Sequence, residues 1–76
     1  MLDRITFDPT TMGGRACIRG MRMTVSQIVN LVANEMSFQE ILDEYPFLEA
    51  DDIREALHYA AYLSREEVLS AGDVRR

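Results

Sequence analysis

The chain has 76 residues and a formal net charge of −5, with eight arginines, no lysine and thirteen carboxylates. That balance excludes a general polyanion binder, which needs a broad positive field. The single cysteine, Cys17, excludes an internal disulfide and a zinc site built mainly on thiolates.

One small domain is expected at this length. Such a chain buries only about 60% of its unfolded surface, so a lone core is marginal. With 47% of the residues apolar, disorder is not expected over most of the chain, and self-association or a partner is. No apolar run approaches a membrane span and no signal-peptide pattern is present, so the expected setting is a reducing cytoplasm. The charge is uneven: Met1 to Arg22 sums to +2, and the chain from Met23 onward to −7. The N-terminal third is therefore where a polyanion would sit.

In chain order, Ile5-Thr6-Phe7 is a short β-prone run closed by the turn pair Asp8-Pro9. Gly13-Gly14 marks a second turn, and Arg15-Ala16-Cys17-Ile18 a second short strand ended by Arg19-Gly20. Two strands this short cannot stand alone in water and must pack on helices or on another copy. Thr24 opens the first helix, with Gln27 completing a capping box. Val25, Ile28, Val29 and Val32 form its buried stripe beside Leu31 and Met36. Asn34, a residue that tolerates left-handed geometry, is expected to end it.

Ser37 and Glu40 form the next capping box. From there Phe38, Ile41, Leu42 and Tyr45 recur at helical spacing, and Pro46 breaks the helix. The third helix starts near Glu49, a weak cap helped by Asp51 and Asp52 at the positive dipole end. Ile53, Ala56, Leu57, Ala60 and Ala61 are its expected buried face. Either Ser64 and Glu67 cap a short fourth helix or the third continues through Leu69; Ala71-Gly72 stops it. The organisation expected is a single domain over residues 1–70 with a mobile tail at 71–76. The fold class is mainly α: a trihelical, homeodomain-like helix-turn-helix preceded by a short β-hairpin.

That fold makes nucleic-acid binding the first function to weigh. Arg15, Arg19 and Arg22 recur between glycines, as an arm reaching phosphates or the minor groove would. They equally suit pairing with the carboxylates of so acidic a chain. On the third helix only Arg54 offers the bidentate contact to guanine, among Asp51, Glu55, His58 and Tyr62. The carboxylates there repel phosphates, so a solvated or partner-facing helix is the stronger reading. His58 lacks companions at metal-ligand spacing and reads as a surface or interface side chain. Cys17 reads as a small buried hydrophobe. Gly13-Gly14 lacks the Lys-Ser/Thr and helix of a phosphate loop. No catalytic constellation, metal site or cofactor site is nominated.

Two stretches resemble a known family. GGRACIRGMRMTV is similar to the opening, and SFQEILDEYPFLEADDIREALHYAA to the second half, of the bacterial and archaeal family of domains of unknown function numbered 433. The resemblance spans roughly Ile5 to Ala61. Ala16 stands where the family has Pro, Met21 where it has Thr, and Glu49 where it has a Thr or Ser cap. Members of that family look like VapB-like antitoxins encoded beside PIN-like ribonucleases. The resemblance therefore implies a homodimeric helix-turn-helix antitoxin that neutralises the toxin and represses its own operon. On that reading Arg75 and Arg76, at the chain end, would enter the acidic metal-binding pocket of the nuclease. The other class left open is an oligomeric protein-interaction module with no DNA contact.

Overall fold

The computed structural model describes residues 3–65. Two strands come first, β1 (Ile5–Phe7) and β2 (Ala16–Ile18), with a single 3-10 turn at Met12–Gly14 between them. Three helices follow: α1 (Val25–Ala33), α2 (Phe38–Glu44) and α3 (Ala50–Leu63). The strands pair antiparallel, Ile5 opposite Ile18, Thr6 opposite Cys17 and Phe7 opposite Ala16.

Each turn has its own chemistry. The Asp8 carboxylate accepts the Thr10 N–H at 2.9 Å and the Thr10 hydroxyl at 2.7 Å, an Asx-type turn that sets the chain reversal. Those bonds, the Thr10 N–H first, hold the Asp8 carboxyl below its ordinary pKa. Arg19 and Gly20 take φ of +46° and +73°, the left-handed pair that ends β2. The Thr6 hydroxyl fastens that turn by accepting the Gly20 N–H at 2.8 Å.

The core lies where β2, α1, α2 and α3 converge. Ile18, Ile28, Ile41 and Ile53 have no exposed surface, and each contributes about 1.5–3 kcal/mol by leaving water. Met23, Val25, Leu48 and Ala56 complete the buried cluster. Cys17 is buried with them, as its apolar reading requires. β2 packs on α1, β1 packs on α3, and α1 and α2 both pack on α3.

The expected stripes are in place, narrower than expected. Val29, Leu31, Val32, Leu42, Tyr45 and Leu57 are half-buried around the cluster. Ala61, expected on the buried face of α3, is exposed, because the buried cluster extends along α3 only to Ala56, with Leu57 and Tyr59 at its margin.

The helix ends follow local chemistry. Thr24 caps α1, its hydroxyl accepting the Gln27 N–H at 3.0 Å. The reciprocal bond expected from the Gln27 side chain is not made; Gln27 is exposed. Asn34 is the C-cap at φ −88°, and the left-handed residue is instead Glu35, at φ +70°. Glu35 N–H donates to Val32 C=O at 2.9 Å and Met36 N–H to Leu31 C=O at 3.2 Å. That is a Schellman closure, with Met36 and Leu31 both on the core.

Ser37 and Glu40 make the full reciprocal capping box of α2, at 3.1 and 2.8 Å. Pro46 separates α2 from α3. Helix α3 ends at Leu63, where Ser64 N–H donates to the Ala60 and Ala61 carbonyls at 3.2 Å each. It does not run on unbroken to Leu69. The question of a fourth helix, and the proposed tail at 71–76, lie outside the described residues.

A glutamate in left-handed geometry costs on the order of 1 kcal/mol that glycine avoids. Glu35→Gly is therefore expected to raise stability by about 0.5–1 kcal/mol, seen as a higher urea midpoint at unchanged slope. An unchanged or lower midpoint contradicts the Schellman assignment.

Candidate functional site

Antiparallel register decides where the basic end of the chain points. With Ile5 opposite Ile18, the next pair outward is Arg4 opposite Arg19, and the Arg19 N–H donates to the Arg4 carbonyl at 2.7 Å. Like charges directly across a strand pair are destabilising. Here a carboxylate stands between them. Asp52, the third residue of α3, has no exposed surface.

Its Oδ1 accepts from Arg4 Nη1 at 2.9 Å and from Arg19 Nε at 3.0 Å. Its Oδ2 accepts from Arg19 Nη2 at 2.8 Å and from the Glu49 backbone N–H at 2.8 Å. One carboxylate thus neutralises two guanidinium groups and satisfies a free donor at the helix N-terminus.

Outer groups complete the cluster. Arg4 Nη1 reaches Glu49 Oε1 at 2.6 Å, and the Arg4 backbone N–H donates to Glu55 Oε1 at 3.0 Å. Arg19 Nη2 also donates to the Phe47 carbonyl at 2.9 Å, tying the turn after Pro46 to the end of β2. Burial is the largest influence on Asp52 and would raise its pKa. The Arg19 fork, the Glu49 N–H and Arg4 together overcome that and hold the carboxyl below its ordinary value of 3.8. Arg4 is shifted further toward the charged form by its bonds to Glu49 and Asp52, and Arg19 by its bond to Asp52.

This cluster sorts the nominated arginines. Arg19 is held by Asp52 and Phe47. Arg54 lies on the exposed side of α3 and donates through Nε to Asp51 Oδ1 at 3.1 Å, a pair three residues apart on one helix. That pair, led by the hydrogen bond from Arg54, lowers the Asp51 pKa. Arg15, just before β2, and Arg22, in the loop before α1, are exposed and make no ion pair among the described residues. Arg75 and Arg76 lie outside the described residues. Of the four DNA candidates, Arg19 is therefore held by the fold, Arg54 is exposed but paired with Asp51, and Arg15 and Arg22 are exposed with no ion pair among the described residues.

Sequence reading missed Arg4 and Asp52 as a unit. Their signal was the pairing of two arginines across a hairpin with an acid at the third position of a helix, which is visible only once the register is known. His58 is exposed on α3. Among the described residues no group of three His, Cys, Asp or Glu side chains is placed to hold a metal ion, and no helix is long and apolar enough to cross a membrane.

A depressed carboxyl pKa stabilises the fold above its unfolded-state value of about 4 and ceases to do so as pH falls through the folded value. Asp52→Asn is expected to lower stability by roughly 2–3 kcal/mol at pH 7, below the range for fully buried pairs because solvent reaches both guanidinium groups. The deficit should shrink steadily as the pH drops from about 4 toward 2. Denaturant unfolding of both proteins across that range checks it; a deficit independent of pH would mean that the charge of Asp52 contributes nothing.

The family described as "Protein of unknown function (DUF433)" matches residues 5–60. A DUF433 member protein from Anabaena variabilis, known from its crystal structure, has 32% sequence identity and a TM-score of 0.73, over 87% of this chain. The chain spans 64% of the length of that relative. No curated protein matches. Residues 5–60 include both strands, the Arg4-flanked hairpin end, the three helix starts and Asp52, and the chain belongs to the DUF433 family.

Proposed function

We propose that this protein is the antitoxin of a type II toxin–antitoxin pair, whose principal act is to mask a PIN-like ribonuclease. The observation that carries this reading is the charge of the α2–α3 half. From Glu35 to Glu55 eight carboxylates stand against one arginine, Arg54. Glu35, Glu40, Asp43 and Glu44 are exposed with no ion pair among the described residues, while Glu49 and Asp51 are exposed but paired with Arg4 and Arg54. A surface of that sign complements the basic face with which a ribonuclease holds RNA, and it steers association. The same sign opposes entry of the α3 N-terminus into a major groove, where a helix-turn-helix places its reading residues.

Operator binding, the second activity of such a protein, is assigned to Arg15 and Arg22. These are the two candidates whose guanidinium groups are exposed and outside the described ion pairs. The engagement of Arg19 and Arg54 favours the second reading, a protein-interaction module without DNA contact.

Two measurements separate them. Co-expressed with the product of the adjacent reading frame, the chain is expected to co-purify with it and suppress its ribonuclease activity; free nuclease activity at equimolar chain would contradict the antitoxin assignment. In a salt titration with operator-region DNA, Arg15→Ala and Arg22→Ala should each reduce the log–log slope by about 1, and Arg54→Ala should leave it unchanged. Absence of a salt-dependent complex in the unaltered protein would select the interaction-module reading.

A further inference from the structure

An open groove of about 550 Å³ lies between the hairpin, the start of α1 and the last turns of α3. Phe7, Val25, Val29, Tyr59 and Leu63 line it, and among the described lining residues only Arg15 is charged. Phe7 and Leu63 are 59% and 63% exposed, and Phe7 is held edge-on to Tyr59 with ring centroids 6.0 Å apart. Large apolar side chains gathered this way on a small domain mark a surface that something covers.

We propose that residues 66–69 of the same chain cover it. Val68 and Leu69 enter the hollow, and a carboxylate of Glu66 or Glu67 pairs with Arg15. Three observations lead there. The first is where α3 stops. Leu63, its last residue, is part of the groove wall, and Ser64 closes the helix, its hydroxyl donating to the Ala60 carbonyl at 3.1 Å. The chain therefore leaves α3 at the rim, with Glu66 three positions past Leu63. Phe7 packs on Tyr59, one helical turn (about 6 Å along the axis) before Leu63. A chain that advances up to about 3.3 Å per residue crosses that distance within residues 64–69. So short a tether gives the segment a high effective concentration at the groove.

The second is charge. Arg15 has no carboxylate partner among the described residues, and none of those lining the groove is acidic. The fitting occupant carries a carboxylate beside apolar side chains, and Glu66-Glu67-Val68-Leu69 is that composition in four consecutive residues. A second copy set about a two-fold axis would instead place Arg15 against Arg15. The third is the position of Arg65, the cation between Leu63 and Glu66. Its guanidinium lies 4.2 Å over the Tyr62 ring and donates to the Tyr62 carbonyl at 3.0 Å. Neither residue lines the groove, so the positive charge nearest the segment is kept off Arg15. The apolar contact holds the segment, and the exposed ion pair sets its direction. Arg15, assigned above to the operator, is covered when no DNA is bound; the test is made without DNA and does not rest on that assignment.

Nuclear Overhauser contacts in the isotope-labelled 76-residue chain test this. The Val68 and Leu69 methyl groups are expected to show cross-peaks to the Phe7 ring and the Val29 methyl groups. A mixture of two differently labelled samples, filtered for contacts between molecules, is expected to show none of them. Leu69→Ser should abolish the Leu69 cross-peaks and shift the Phe7 and Tyr59 ring resonances, with Phe47, outside the groove lining, unshifted. Glu66→Arg combined with Glu67→Arg should at least about halve the cross-peak intensities; unchanged intensities overturn the pairing with Arg15. Absence of the cross-peaks in the unaltered chain overturns the proposal and leaves the groove to a different protein. Cross-peaks seen only between differently labelled molecules overturn it in favour of a second copy.

Discussion

The bond network around Asp52 is the constraint on which the rest of this fold rests. A two-stranded hairpin of three-residue strands has no independent stability, and this one ends with two arginines facing each other. The third residue of α3 supplies the carboxylate that makes the pairing tolerable and docks the hairpin on the helix in the same act. It also accepts the Glu49 N–H, so the start of α3 and the end of the sheet are fixed by one side chain. Arg19 adopts left-handed geometry there, a cost that the Asp52 and Phe47 contacts offset.

That constraint also shapes the surface charge. Four arginines lie in the first 22 residues, and the fold withdraws Arg4 and Arg19 from the surface field by pairing them with acids. What solvent meets on the hairpin side is a reduced positive charge at Arg15 and Arg22. Across α2 and the start of α3 it meets an exposed band of carboxylates. The three-helix plan is therefore present with a negatively charged start to α3, and under the proposed function that charge suits a basic protein partner better than a duplex.

Much of the architecture was legible in residue order because local rules decided it. Ser37 and Glu40 sit three apart and cap each other; Pro46 cannot extend α2; Ile28, Ile41 and Ile53, each on an expected apolar stripe, are fully buried. The misses share a physical cause. The Thr24–Gln27 box formed only in part, since a capping pattern states which bonds are possible and not which compete with solvent. Left-handed geometry fell on Glu35 and not on Asn34, because the Schellman closure is set by where Leu31 and Met36 meet the core, and that is a tertiary contact. For the candidate site, the arginines were visible and their partners were not. Pairing Arg19 with an acid 33 positions away depends on register and on the docking of α3, neither of which periodicity encodes.

Native-state hydrogen exchange of Asp52→Asn tests the central claim most directly, reading the Ile18 and Arg19 amides against those of α1. If Asp52 docks the hairpin, those two amides exchange at least about tenfold faster relative to Ile28 and Val29 than in the unaltered protein, the pattern of a sub-global opening. Equal acceleration of hairpin and helix, or none in either, would contradict it.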